Sequence, residues 1–533
     1  MTSTQGMPAQ STAGSTGGLT LDELDDAARN EAFDALQARM PQVWRDMRRD
    51  APDESVVVIP SMTVDRVVAN PGGLNQALEE RFLFFLLLLR QPRLRMVYVT
   101  SLPIDPLVVE YYLSLLPGVI PSHARSRLEL VAVGDGGTEP LSAKILARPR
   151  VVAQIRSLVP NRSRSHLIPY NTTELERDLA VTLGIPMYGA DPRLFPLGTK
   201  TGCRRLFAEV GISHPAGYED LHSREDVEGA LLSLRRDRSG VSAAMVKLNE
   251  GVSGAGNSLV RLDGLPPVGD VDEEAELTRR VDAMELEDES ISVGAYLAKL
   301  AERGGIVEER IEGDEIRSPS VQLRVTPLGE VELLSTHDQI LGGPSGQSYL
   351  GCRFPADPEY AGLITRDAQR VGDRLARHGV LGRFALDFVT VRHGDRWTAH
   401  AIEVNLRRGG TTHPFLTLQF LTDGRYVADT ARFLTPNGEE RHLVATDHLQ
   451  DPSLRGLRVE DLFDLVARAG LHFDQSRQTG VVFHMISALT AYGRVGVTAI
   501  GESPEAADRL YAAAERALLA EGRSALQADP VPT

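Results

Sequence analysis

Two strand-like runs late in the chain, 383–391 and 398–406, constrain the fold more than any other feature. The first carries Asp387 within Leu386-Asp387-Phe388, and the second carries Glu403-Val404-Asn405, sixteen residues further on. Residues i and i+2 of a strand point to one face, so Glu403 and Asn405 aim at one place. If the Asp387 strand pairs with theirs, a third oxygen joins them. Three hard oxygen donors suit Mg²⁺, which takes a few protein oxygens and completes its shell with water and substrate phosphates. A chain built to align them needs an antiparallel pair inside a larger sheet, and the trio points to a phosphate-handling enzyme.

The rest of the chain has to supply that sheet and its surroundings. At 533 residues it is long enough for two to four domains. Runs of β-branched and apolar residues at 55–59, 95–99 and 128–133 read as buried strands, with helical spacing at 74–90 and 105–116 between them. Alternation of this kind implies a parallel sheet with crossover helices, whose ligand loops lie at the strand C-termini. Val133-Gly-Asp-Gly-Gly137 occupies such an end, though a plain turn explains it as well. The run 82–89 is apolar throughout but too short for a membrane helix, which needs ~20 residues; it reads as buried helix. Residues 1–20 are rich in Ser, Thr and Gly and read as a disordered tail rather than a signal peptide. Residues 21–170 read as a Rossmann-like domain, 171–440 as a second domain, and 441–533 as a separate small α/β domain.

Charge excludes one class of partner. The formal net charge is −16, from 57 basic and 73 acidic residues. A broad nucleic-acid footprint requires a basic surface, so no nucleic acid is expected, and no membrane. Only two cysteines are present, Cys203 and Cys352, far apart and outside any CxxC, which fits a reducing cytoplasm.

Upstream of the acidic trio lie further phosphate-compatible pieces. Asn249-Glu-Gly-Val-Ser-Gly-Ala-Gly-Asn257 separates two strand-like runs. Gly251, Gly254 and Gly256 permit close backbone approach, and successive N–H groups of such a loop form an anion nest. The loop lacks a Walker signature, and alone it also fits a flexible hairpin tip. Lys247 adds weight, because an ammonium within the apolar run Ala-Met-Val-Lys-Leu needs a partner. The acidic turn Val307-Glu-Glu-Arg-Ile-Glu-Gly-Asp-Glu315 follows an amphipathic helix.

Taken in order, Lys200, Lys247, the glycine loop, the acidic turn, Asp387 and Glu403-x-Asn405 resemble the ATP-grasp superfamily over residues 150–430. The segments Glu403-Val-Asn-Leu-Arg-Arg-Gly-Gly-Thr-Thr-His-Pro414 and Gly480-Val-Val-Phe-His-Met-Ile-Ser-Ala-Leu-Thr-Ala-Tyr-Gly493 are similar to the peptide ligases of pheganomycin biosynthesis and their relatives. The resemblance implies an α/β chain: an ATP-grasp fold of two α+β subdomains, with a lid over about 200–305, behind a pre-ATP-grasp Rossmann-like domain. It implies an ATP-dependent, ADP-forming ligase that joins a carboxylate to an amine through an acyl phosphate. Lys200 and Lys247 would bind phosphates, and Gly251, Ser253, Gly254, Gly256 and Asn257 would cover them. Glu308, Glu309 and Ile311 would hold adenine, and Glu315 the ribose. Asp387, Glu403 and Asn405 would hold Mg²⁺, or Mn²⁺ in its place.

The sequence departs from D-Ala–D-Ala ligases where those carry an arginine two residues before the metal aspartate; here that position is Ala385, with Arg383 one step further back. The oxyanion role is therefore expected of Arg407 or Arg408, with Arg324 adding charge on the strand after the acidic turn. His413 is open to a general-base or a packing role. Expected partners are small carboxylate and amine substrates, amino acids or short peptides, with a homodimer left open. A kinase on the same scaffold and a non-catalytic nucleotide-binding protein stand as alternatives.

Overall fold

The computed structural model describes residues 21–49, 53–63, 72–251, 256–342, 346 and 348–528. The expected tail at 1–20 and the loop positions Ser253 and Gly254 lie outside them.

The N-terminal part is a four-stranded parallel sheet in the order Leu128–Ala132, Arg95–Thr100, Ser55–Ile59, Ser165–Pro169. Strands buried on both faces read as continuous apolar runs, and Val56 to Ile59 are essentially solvent-free. The fourth strand, Ser165–Pro169, has polar residues at its start and is not legible as a strand in the sequence. The apolar run after helix Gly72–Glu80 is a long 3₁₀ segment, Arg81–Arg90, rather than a continued α-helix. All but two of its side chains are buried, Leu88 and Arg90 being the exceptions. No helix among the described residues is long and apolar enough to cross a membrane.

A five-stranded sheet follows, in the order Gly217–Leu221, Gly305–Glu309, Ala243–Leu248, Asn257–Arg261, Glu285–Leu286. Its central hairpin pairs Lys247 with Asn257 around the glycine loop, and Lys247 with Ile306 on the other side. The acidic stretch 270–290 contains a helix, Glu273–Asp282, which buries Leu277 and Val281 beneath its charged face.

A nine-stranded sheet forms the larger body. Strand Gly382–His393 pairs antiparallel with Arg396–Asn405 and with Pro319–Val325, and Pro319–Val325 pairs with Val331–Gly342. Beyond Ser348–Phe354 the sheet continues through His442–Gln450, Arg494–Gly501 and Gly480–His484. The strands of the C-terminal segment thus belong to the same sheet as the acidic trio. They satisfy their backbone groups by extending that sheet, because Ser348–Phe354 would otherwise be an open edge. The same residues bury the 3₁₀ run: Phe82, Phe85 and Leu86 share one core with Phe415, Leu443, Phe483 and Val495.

One core residue yields a pH prediction. His337 is fully buried beside Phe354 (ring centroids 5.0 Å apart), and neither ring nitrogen has a partner. Burial pushes its imidazole down to about 3. The unfolded chain then takes up a proton below its ordinary value while the folded chain does not, so the wild type loses stability as pH falls from 6.5 toward 3. His337→Leu removes this proton. Its stability margin over wild type is expected to widen by ~1.4 kcal/mol per pH unit on acidification through that window. Urea denaturation of both proteins at several pH values measures the margin.

Candidate active site

The acidic trio is assembled by strand register. Asp387 stands directly opposite Glu403, and Asn405 stands opposite Ala385 on the same face. The Asn405 amide Nδ2 donates to Asp387 Oδ2 at 3.0 Å. Burial, and then the facing Glu403 carboxylate, push the Asp387 carboxyl up to about 6. Burial acts on Glu403 as well, but Lys200 holds it below its ordinary value, with Nζ 2.5 Å from Oε2. Two carboxylates and an amide carbonyl crowded onto one half-buried face suit a hard divalent cation, which would relieve the repulsion that raises Asp387. The donor set fits Mg²⁺ by this test.

Lys200 is placed by the start of helix Lys200–Val210. Thr199 caps it, its Oγ1 accepting from Gly202 N at 3.0 Å. Asn249, the first residue of the glycine loop, accepts from Lys200 N through its carbonyl and from Thr201 N through its side chain. Loop and lysine are thereby tied together. Gly202 has no room for a side chain: a Cβ there would lie 1.9 Å from the Pro196 carbonyl oxygen. Gly202→Ala is expected to shift this helix start, to cost about 1–3 kcal/mol of stability and to weaken ATP binding. Thermal melting and nucleotide titration of the variant check both effects.

From the five-stranded sheet, Lys247 Nζ meets Glu308 Oε1 at 2.6 Å, and Arg204 reaches the other Glu308 oxygen at 3.4 Å. Lys247 also lies near enough to the acidic trio to help depress Glu403. The two lysines therefore approach the trio from a helix start and from the five-stranded sheet. Glu309 is engaged elsewhere: its side chain accepts from Ala216 N and Arg238, and its N–H donates to the Ala216 carbonyl. Ile311 lies in the loop just past strand Gly305–Glu309. Glu315 is half-exposed and stands opposite Arg392, five residues along the strand from Asp387, with Arg317 and Arg392 as ionic partners. Gly251 and Gly256 bracket the loop, and Asn257 begins the return strand.

The expected arginines separate. Arg407 donates to Asn405 Oδ1 and sits at the trio. Arg408 does not. Its guanidinium is buried, donates to the Pro169 carbonyl and lies 5.7 Å from the Phe85 ring. Of the two arginines expected to face the oxyanion, Arg407 is the one beside the trio. Arg324 also lies away from the trio, paired with Glu332 at 2.5 Å and 5.2 Å from the Trp44 ring. Cys203 is a buried thiol beneath the site. It accepts from Val404 N at 3.2 Å, and burial pushes it up to about 12.

His413 is absent from the trio altogether. It joins a buried cluster that sequence reasoning missed. His413 Nε2 lies 3.0 Å from His484 Nε2 and 3.2 Å from Asp447 Oδ1, and Arg81 pairs with the other Asp447 oxygen at 2.6 Å. Burial works against the Asp447 carboxylate, but His413 and Arg81 hold it well below its ordinary range. Burial pushes His413 down to about 3, so it is neutral at physiological pH.

The chain is similar to known proteins over most of its length. Residues 292–426 match the family described as IQCH-like, ATP-grasp, and residues 461–514 match the PGM1 C-terminal domain. The L-propargylglycine–L-glutamate ligase of Streptantibioticus cattleyicolor is 30% identical over 490 residues, covering 90% of this chain and 97% of its own. IQ motif-containing protein H of Danio rerio is 23% identical over 74% of this chain, and 42% of that protein is covered. The same fold is found in the ADP complex of N5-carboxyaminoimidazole ribonucleotide synthetase, with TM-score 0.50, 11% identity and coverage of 89% and 98%. The biotin carboxylase domain of Hydrogenobacter thermophilus 2-oxoglutarate carboxylase has TM-score 0.52, 14% identity and coverage of 86% and 89%. The chain belongs to the ATP-grasp superfamily, among the carboxylate–amine ligases of the pheganomycin peptide-ligase type.

Proposed function

We propose that the chain forms an amide bond between an amino acid or short peptide carboxylate and an amine, with ATP as the co-substrate. A carboxylate oxygen of the first substrate attacks the γ-phosphorus of ATP. The bond from that phosphorus to the β-phosphate oxygen breaks, and ADP leaves. The amine nitrogen then attacks the acyl carbon, the carbon–oxygen bond to phosphate breaks, and inorganic phosphate departs with the electron pair. The proton shed by the amine passes to phosphate or water. Phosphoryl transfer of this kind depends on positioning and charge neutralisation more than on covalent help from the protein.

Asp387, Glu403 and Asn405 are the residues that would hold Mg²⁺. Bound there, the ion would supply Lewis-acid neutralisation of phosphate charge. Lys200 and Lys247 would bind phosphate oxygens in exchange for their present carboxylate partners, Glu403 and Glu308. Arg407 would face the developing oxyanion, since a guanidinium donates a planar fork of hydrogen bonds. The glycine loop would exclude water from the acyl phosphate. Ile311 and Glu309 would border adenine, and Glu315 the ribose. The two buried, unpaired thiols suit a reducing cytoplasm.

The observation that carries this reading is the pairing of Lys200 with Glu403 opposite Asp387. A screen of amino acids and dipeptides for ADP release, with mass spectrometry of the product, tests it. ADP formation that requires both a carboxylate and an amine, with a product lighter by one water than their sum, is expected. Absence of ADP release with every pair sinks the ligase.

A further inference from the structure

Buried polar atoms without partners are rare and expensive. Five of those among the described residues gather at one junction between the parallel sheet and the nine-stranded sheet: Trp44 Nε1, His166 Nδ1, Tyr188 OH, Arg383 Nη1 and Arg408 Nε. Their proximity is direct. Trp44 stacks on Tyr188 with centroids 5.8 Å apart, and His166 meets Tyr188 edge-on at 6.4 Å. Arg324, opposite Arg383 in the strand register, lies 5.2 Å from the Trp44 ring. Burial, then Arg324, then Arg408 push the Arg383 guanidinium down to about 9, against an opposing pull from Tyr188.

The chemistry of the set is one-sided. Four of the five orphan atoms are N–H or O–H donors, and three guanidiniums meet there. Burial also holds the His166 imidazole neutral, pushed down to about 4. The acid paired with these arginines is Glu332, and it is occupied by Arg324. Elsewhere acidic residues outnumber basic ones, with a net charge of −16. Donors sealed from water without an acceptor mark a place for an anion that arrives from outside.

The location says which anion. Arg383 and Asp387 lie on the same face of strand Gly382–His393, four residues and about 13 Å apart along the strand. That separation is within the span of one small substrate with two charged ends. A guanidinium fork matches a carboxylate in a bidentate way. We propose that Arg383, supported by Arg324, Arg408 and Tyr188, binds the free carboxylate of a substrate, the one that is not activated. This rests on the ligase reading. The free carboxylate belongs either to the acyl donor, which is then a dicarboxylate, or to an amino acid acting as the amine.

The test is calorimetric binding to the full chain and to Arg383→Met, with glutarate against butyrate and L-alanine against L-alaninamide. Wild type is expected to prefer one charged probe over its neutralised partner by about 30-fold or more, and Arg383→Met to lose that preference. A glutarate preference assigns the carboxylate to the donor, and an L-alanine preference assigns it to the amine substrate. The unliganded variant is expected to melt at or above wild type, because it sheds an unpartnered buried charge. Arg383→Lys, which keeps the charge without the fork, is expected to retain part of the preference and serves if the first variant fails to fold. Equal binding by wild type and both variants, no binding of either carboxylate, or a response to inorganic phosphate alone overturns the proposal. Arg383-dependent binding without ADP release from any substrate pair sinks the ligase and leaves the anion site. ADP release indifferent to Arg383 does the reverse.

Discussion

Glu403→Gln is expected to lower amine-dependent ADP release by about three orders of magnitude, the scale of removing several kcal/mol of charge stabilisation from phosphoryl transfer. The substitution keeps the shape and removes one of the two carboxylate charges that face each other across the strand pair. It also frees Lys200, whose ammonium is only 9% exposed and has Glu403 as its ionic partner. Asn405→Ala removes a neutral oxygen and should be the milder of the two. Raising Mg²⁺ should recover part of the activity of Asn405→Ala and little of Glu403→Gln. Steady-state ADP release across a Mg²⁺ series separates these outcomes. Undiminished activity in Glu403→Gln would remove the trio from the mechanism.

The second large effect is on stability. Asp447→Ala leaves the Arg81 guanidinium buried without its counter-ion, at a cost of about 3–5 kcal/mol. Arg81 and Asp447 come from opposite ends of the chain, and both are less than 10% exposed. Their pairing fixes the 3₁₀ run to the C-terminal strands. Asp447→Leu combined with Arg81→Met removes both charges and is expected to recover at least half of the loss. Urea denaturation of Asp447→Leu, Arg81→Met and the double variant measures the coupling. Additive effects would show that the pair is not a unit.

The trio was legible because strand parity is local: Glu403 and Asn405 share a face in any strand, and the short connection to Asp387 favours a hairpin. The order of strands and helices through 55–133 was legible for the same reason. What escaped was set by distance along the chain. Nothing near residue 442 announces that its strand will pair with Ser348–Phe354, some ninety residues earlier. The 3₁₀ run has no polar face, so its period cannot be read from side chains. Which of Arg407 and Arg408 lies beside the trio was not legible, because their directions depend on where strand Arg396–Asn405 ends. One signal for the missed cluster was available. The two segments that carried the resemblance each contain one of its histidines, His413 and His484.

The strand order has a consequence for synthesis. Arg494–Gly501 lies between His442–Gln450 and Gly480–His484, although it is the last of the three to leave the ribosome. The outer part of the sheet therefore cannot close until nearly the whole chain has emerged. Phe82 to Leu87 share their core with early residues such as Met96, Tyr98 and Val108, but that core is completed only by residues from Phe415 onward. At ordinary elongation rates that wait lasts roughly 20–60 s. During that time this apolar stretch of the nascent chain has only part of its native cover.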